Sequence, residues 1–298
     1  IVSIFSVATG YLYCILDDFL SWVVATFEFP LVNWLRLRDW KSLEEVANMF
    51  AERSNGHFFG VVGSLDGLAI RIQAPKEKFC KDTGNYYCRK GFYALNVQAI
   101  CDYHKRFLWS YPSNKGSTHD SAAFQNSKLF SLLFELRDEL FERGLFFAAD
   151  SAYNLASFLL VPFGPDELVG DTNGYKDSFN YHLSSNRIQI ECAFGEFVRK
   201  WGVFWRTLGF DLPRCSRIVQ ACMLLHNFII DERVQVDDPS TFNITIDTVQ
   251  MELTDQTGEA PNPIVVDNNE PRRRGRRTVE ESDAHEKGDR LRRILTTK

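Results

Sequence analysis

Four carboxylates stand where a charge is out of place or is flanked by residues that would bury it: Asp66, Asp120, Asp150 and Glu191. Asp150 is the sharpest case, because Leu145-Phe-Phe-Ala-Ala149 holds nothing ionisable and ends without transition on that carboxylate. Such a run reads as a buried strand, and open α/β sheets keep their chemistry at the C-terminal tips of buried strands. Three or four acids at one spot cannot all ionise without a cation, since like charges that close raise one another's pKa. Oxygen ligands without His or Cys favour Mg²⁺ or Mn²⁺ over zinc. Two such ions about 4 Å apart would clamp the attacking and leaving oxygens of a phosphodiester. The implied chemistry is phosphoryl transfer on nucleic acid. Taken singly, Asp66-Gly and Asp150-Ser are also ordinary turn chemistry, and Glu191 can pair with Arg187 one helical turn earlier for some tenths of a kcal/mol.

The elements that must position these acids follow from periodicity. Phe58 to Ile72 is β-rich on both sides of Asp66-Gly67 and reads as a hairpin or a bulged first strand carrying Asp66. Tyr93 to Cys101 and Phe107 to Tyr111 alternate as an antiparallel pair, and Pro112 to Gly116 breaks the sheet. A helical pattern runs from Ala123 to about Glu142, then the strand ending in Asp150, then a last strand at Phe158-Leu-Leu-Val-Pro162. Gly164 to Asp177 reads as a loop. Ser184-Ser-Asn186 can cap a helix from Arg187 to about Trp201 that carries Glu191, and Ser216 to Ile230 forms a closing apolar helix. In this topology the first and fourth strands are neighbours, which sets Asp66 against Asp150. A helix crossing the end of the sheet then delivers Glu191.

Upstream, Ser6 to Phe27 repeats apolar residues at helical spacing, and Ser42-Leu-Glu-Glu45 has the form of a capping box opening a second, short helix. The chain has 298 residues, 25 Phe, 10 Tyr and 6 Trp, enough for a large core. It begins at Ile1 without a methionine and reads as a fragment of a longer product. Seven scattered cysteines suit buried thiols in a reducing compartment rather than a disulfide framework or a zinc site. Ile1 to Leu16 is interrupted by Asp17-Asp18 before it could cross a bilayer, so no membrane is expected. The formal charge of −5 is misleading: Val61 to Ile230 has 19 Lys/Arg against 17 Asp/Glu, whereas Asp231 to Glu270 has ten acids and one base. The acidity lies in a linker that reads as mostly disordered. Beyond it Arg272-Arg-Arg-Gly-Arg-Arg277 is open to three readings: nuclear import, phosphate contact or a solubilising tail. Val279 to Leu295 can form a charged helix with Leu291, Ile294 and Leu295 on one side.

Asp66-Gly67, Asn85-Tyr-Tyr-Cys-Arg-Lys-Gly91, Leu95-Asn-Val-Gln98, Gly116-Ser-Thr-His-Asp120, Ala149-Asp-Ser-Ala-Tyr153, Phe179-Asn180 and Arg187-x-x-x-Glu191-x-x-Phe194-Gly195 occur in order between about Gly60 and Ile230. This series resembles the PIF/Harbinger superfamily of DDE transposases. The resemblance implies an RNase H-like domain whose metal-dependent acidic triad maps to Asp66, Asp150 and Glu191, with Asp120 where the family has a further proposed metal-binding acid. It also implies that the first helix is the remnant of a helix-turn-helix unit, and that a Myb-like partner supplies DNA binding and nuclear entry. The chain departs from the family after Asp66-Gly67, where Leu68-Ala69 replaces Thr followed by His or a β-branched residue.

The expected fold is α/β and RNase H-like: a mixed five-stranded sheet flanked by helices, with an N-terminal helical remnant and a disordered C-terminal tail. Its divisions are 1–57 (helical region), 58–230 (catalytic domain), 231–270 (acidic linker) and 271–298 (basic tail). Asp66, Asp120, Asp150 and Glu191 are the expected ligands of Mg²⁺ or Mn²⁺, and Asp120 with His119 can equally cap the helix that follows. His119 supports the site rather than acting as base, since a bound ion lowers the pKa of the attacking oxygen. Arg89, Lys90 and Arg187 are candidate contacts to the DNA backbone, with a solvated loop the other reading of Arg89-Lys90 and a carboxylate tether that of Arg187. Trp201, Phe204 and Trp205 are assigned to packing and His226 to the core. The expected activity is metal-dependent cleavage and strand transfer of DNA by a nuclear protein made in the cytoplasm, with homo-oligomers possible. The alternative is a domesticated, catalytically silent scaffold associated with DNA; a carboxylate glycosidase suits four acids with basic neighbours less well.

Overall fold

The computed structural model describes residues 8–54, 56, 58–76, 80–235 and 278–296. Five strands, β1 (Val61–Arg71), β2 (Ala94–Cys101), β3 (Phe107–Lys115), β4 (Phe146–Ala148) and β5 (Leu159–Leu160), form one mixed sheet in the order β3-β2-β1-β4-β5. The first three are antiparallel, while β4 pairs parallel with β1 and β5 parallel with β4. The neighbouring of first and fourth strands that the sequence implied is present. β1 is one continuous strand with no hairpin at Asp66-Gly67, and its pairing irregularity with β4 lies earlier, between Val61 and Gly63.

Both faces of the sheet are covered. One face packs against α2 (Leu31–Leu37), α3 (Trp40–Arg53), α5 (Lys128–Glu135) and α6 (Arg137–Arg143), through Leu35, Phe50, Leu133 and Leu140 with Leu65 and Phe146. The other packs against α1 (Thr9–Thr26), α8 (Tyr175–Lys200) and α9 (Leu212–Gln235), through Val23, Ile190, Phe197 and Val219 with Leu68, Ile70 and Val97. Two covered faces explain why β1 and β2 are buried along nearly their whole length. Between β3 and α5 lies the short α4 (Asp120–Gln125), and before α8 the short α7 (Pro165–Leu168).

Several local expectations are corrected. The cap of α3 is Asp39, which accepts from Ser42 N (3.2 Å) and from Ser42 Oγ (2.6 Å), so Ser42 is a donor within the first turn. β3 runs through Pro112 to Lys115; it is an edge strand, and its register shifts between the Gln98–Tyr111 and Asn96–Asn114 pairs, so the missing proline N–H breaks no ladder bond. The single pattern from Ala123 to Glu142 is three short helices, with Ser127 Oγ accepting from Phe130 N at the second start. α8 starts at Tyr175, three turns before Arg187, and Ser184 to Asn186 lie inside it. α9 extends to Gln235, into what reads as the start of the linker. Trp205 is exposed, its indole N–H donating to Val198 O, whereas Phe204 packs on Phe197 and His226 is buried against Phe107.

The tail is corrected in part. The charged helix expected over Val279 to Leu295 is present as α10 (Val279–Thr296), and it docks on the domain instead of belonging to a disordered tail: Ala284, Leu291 and Leu295 join the first core, whereas Ile294 is exposed. Arg292 is buried over the Phe163 ring and pairs with Glu167 and Asp289, while Lys287 pairs with Asp138. Gly288 permits this approach, since a Cβ there would lie 2.5 Å from Ala156 O. Arg272 to Arg277 and most of the acidic segment lie outside the described residues. All seven cysteines are free thiols, and no described helix is long and apolar enough to cross a membrane.

Candidate active site

β1 and β4 set the first two acids. Asp66 and Asp150 each lie two residues past the registered pair Ser64–Ala148, and both are buried, at 6% and 7% exposure. Each carboxylate accepts a backbone N–H from its own turn or strand: Asp66 Oδ1 from Gly67 N at 2.7 Å, Asp150 Oδ1 from Ala152 N at 2.9 Å. Side chains alternate across a strand, and Ser64 Oγ donates to Asn186 O of α8, so Ser64 and Asp66 face that helix.

α8 brings a cation and a third acid to Asp66. Arg187 Nη1 lies 2.7 Å from Glu191 Oε1, one turn further on, and 3.7 Å from Asp66 Oδ2. Nη1 is buried yet makes no correctly angled hydrogen bond, so neither contact is a directional one. Burial is the largest cause that brings the Asp66 carboxyl up to about 8. Within that net value the Asp150 charge is the second cause and Asp120 adds least, against the opposing pull of Arg187 and the Gly67 N–H. A carboxyl in this setting holds its proton at neutral pH unless a further cation arrives.

Asp120 stands apart. It occupies the first turn of α4, where the cap position is His119 and no side-chain cap bond is made, so the capping reading is not the one adopted. Its Oδ1 accepts from Asn96 Nδ2 and Gln98 Nε2, both at 2.9 Å, and lies 2.3 Å from where a Cβ on Gly67 would project. Gly67 and Asp66 point to opposite faces of β1, so Asp120 sits over the face away from α8. Among the described residues no three His, Cys, Asp or Glu side chains gather closely enough to hold a metal as they stand.

Asn96, Gln98 and Tyr153, quoted in the sequence motifs without a role, form the support of Asp120. The Tyr153 hydroxyl donates to Gln98 Oε1 at 2.6 Å, and Gln98 Nε2 donates to Asn96 Oδ1 at 2.7 Å as well as to Asp120. Burial holds the Tyr153 phenol well above its usual range, with Asp120, Asp66 and Asp150 adding to the effect, so the hydroxyl stays a donor. The signal was two carboxamides on one face of an otherwise apolar strand. Tyr153→Phe is expected to leave Gln98 Oε1 unpaired and to cost about 1–3 kcal/mol, read as a fall in melting temperature with the fold retained. Arg89 and Lys90 are exposed in the turn from Cys88 to Gly91, ahead of β2, as a loop reading requires.

The domain is thus a mixed α/β sheet in which Asp66 lies within β1, Asp150 lies just past the end of the adjacent parallel β4, and Glu191 lies on the helix packed against β1. The family model described as "DDE superfamily endonuclease" matches residues 65–227, a span that includes all four acids, and the chain belongs to that family. It is 26% identical over 190 residues to "Putative nuclease HARBI1" of Xenopus laevis and 28% identical over 184 residues to the protein of that name in Mus musculus. Each alignment covers 59% of this chain and 48% of the relative. "Protein ALP1-like" of Arabidopsis thaliana is 28% identical over 163 residues, covering 49% of this chain and 37% of that protein. The chain thus spans about half the length of the curated HARBI1 relatives it matches. No solved structure matches it.

Proposed function

We propose that this chain carries an RNase H-like DNA endonuclease site in which Asp66, Asp150 and Glu191 hold Mg²⁺ or Mn²⁺. The observation that carries the reading is the pair of buried carboxyls on neighbouring elements, Asp66 within β1 and Asp150 just past the end of the parallel β4, the first driven up to about 8 by burial and by the other's charge. A buried acid pair of that kind is stable as two carboxylates only with a cation between them. The donor set fits a hard divalent ion: oxygens alone, with the nearby Arg187 guanidinium showing that positive charge is accommodated beside Asp66 and Glu191. Such an ion, when bound, supplies a Lewis acid that stabilises the oxygens of an in-line phosphodiester displacement.

The chain's own residues then divide the work. Asp66 and Asp150 fix the position of positive charge beside the C-terminal end of β4, and their backbone N–H bonds set the direction of each carboxylate. Glu191 approaches from α8 on a turn shared with Arg187. Asp120, tied down by Asn96 and Gln98, adds negative charge from the other face. Arg89 and Lys90 are proposed to meet the DNA backbone from the rim. Nuclear location, a DNA substrate, a Myb-like partner and any self-association belong to the same proposal.

The test is nicking of supercoiled DNA in the presence of Mn²⁺. Wild type is expected to nick, and Asp150→Asn and Glu191→Gln to fall by about 10²-fold or more each. Nicking that survives in both variants would overturn the assignment. The second reading, a silent DNA-associated scaffold, is favoured by one observation: Arg187 already supplies a cation between Asp66 and Glu191. Wild type that binds DNA without Mn²⁺-dependent nicking would select it.

A further inference from the structure

We propose that Arg187 is a built-in counter-cation that occupies the place of the divalent ion between Asp66 and Glu191, and that loading of the ion displaces it. The inference rests on the reading of those acids as cation ligands. Its own ground is geometric: Nη1 lies 2.7 Å from Glu191 Oε1 and 3.7 Å from Asp66 Oδ2, with only 11% of the Arg187 side chain exposed. A guanidinium and a divalent ion cannot share that position, because two cations between the same carboxylates repel and each competes for the same lone pairs.

The hold on Arg187 is of a kind that can be released. Arginine grips carboxylates most strongly through two parallel, well-aligned N–H bonds, whereas here one nitrogen faces two different acids and aligns with neither. The described acids also fail to gather into a three-carboxylate site, as expected when a larger cation spaces them. Glu191 is the more exposed end of the pair, at 31%, so it can swing while Asp66 stays fixed in β1. A guanidinium released from the gap remains on α8 beside the site, one turn from Glu191, where substrate phosphate would be within its reach. Metal loading and phosphate capture would then be coupled in one side chain.

The experiment is calorimetry with MnCl₂ and thermal melting without and with Mn²⁺, on the full chain as wild type, Arg187→Met and Arg187→Lys. Without metal, Arg187→Met is expected to melt below wild type by about 5 °C. It should bind Mn²⁺ about tenfold or more tightly than wild type and gain more melting temperature from it, since no resident cation has to leave. Arg187→Lys keeps the charge at a shorter reach and should fall between the two in Mn²⁺ affinity, which keeps the comparison available if the methionine variant does not fold. Wild type and variants that bind Mn²⁺ equally, or variants that bind it more weakly, would overturn the displacement while leaving the metal site in place. Absence of Mn²⁺ binding in every chain would remove both the metal site and this inference.

Discussion

Asp66→Asn is expected to abolish Mn²⁺-dependent nicking, by about 10³-fold or more, which is about 4 kcal/mol of transition-state stabilisation, and at the same time to stabilise the metal-free protein at neutral pH. The two effects have one cause. The Asp66 carboxyl is driven from an ordinary 3.8 to about 8, chiefly by burial and then by Asp150. A group whose folded pKa lies above its unfolded value contributes most below the unfolded pKa and loses that contribution as pH rises through the folded one. Wild type should therefore lose stability from about pH 4 to pH 8, with a slope of up to ~1.4 kcal/mol per pH unit from this one group. Asparagine has no proton to lose, so the variant should match wild type near pH 4 and melt progressively above it toward pH 8. Saturating Mn²⁺ should flatten the wild-type curve and leave the variant's unchanged. A wild-type melting temperature that is level from pH 5 to pH 8 without metal would show that Asp66 is already ionised and compensated in the fold.

What could be read from residues alone was the order of elements and the place of the charges along them. The apolar run into Asp150 marks a strand whichever fold it belongs to, and the antiparallel front with a parallel back forces its strand beside β1. The boundaries that escaped share a physical reason: a polar or helix-breaking residue was tolerated by its surroundings. Pro112 sits at a register shift on an edge strand, where no ladder bond is lost. Tyr175 to Asn186 reads as polar, yet Phe179, Leu183 and Asn186 are buried along one side of the helix, so packing extends α8 past its apparent cap. The helix of α10 was legible but its docking was not, because burial there rests on one glycine, three small or apolar side chains and an arginine whose charge is paired.

The site was legible as types and not as sides. Period-two alternation places Gly67 and Asp66 on opposite faces, but the loop that returns Asp120 to the sheet has no periodicity from which its side could be deduced. Asp120 therefore looked like one more acid of a single cluster. Its carboxylate instead rests on Gly67, held there by Asn96 and Gln98. Arg187 was open to either a tether or a phosphate contact, and its burial between Glu191 and Asp66 places it in the first role as the chain stands.

Gly67→Ala tests that arrangement most directly, because it adds one methyl group at the point where the two faces meet. Gly67 is not in the left-handed region, so alanine costs nothing in backbone conformation and only space decides. The new Cβ would lie 2.3 Å from Asp120 Oδ1 and 2.7 Å from Gln98 Nε2, distances that real contacts do not reach. Neither neighbour can yield cheaply. Asp120 is short and accepts two amide donors, and Gln98 is held in turn by the Tyr153 hydroxyl. Overpacking of a rigid site costs about 1–3 kcal/mol, and a lost hydrogen bond to a charged group about 1.5–3 kcal/mol. The expected loss is about 3 kcal/mol, or roughly 6–12 °C in melting temperature, with nicking reduced about tenfold or more because the Asp120 charge leaves its position. Asp120→Ala alone should cost less than that, since it empties the crowded point. The double variant should be no less stable than Gly67→Ala, giving a coupling of about 1–2 kcal/mol between two residues that share one small space. Additive losses would place Asp120 elsewhere and return it to the reading of a cap for α4.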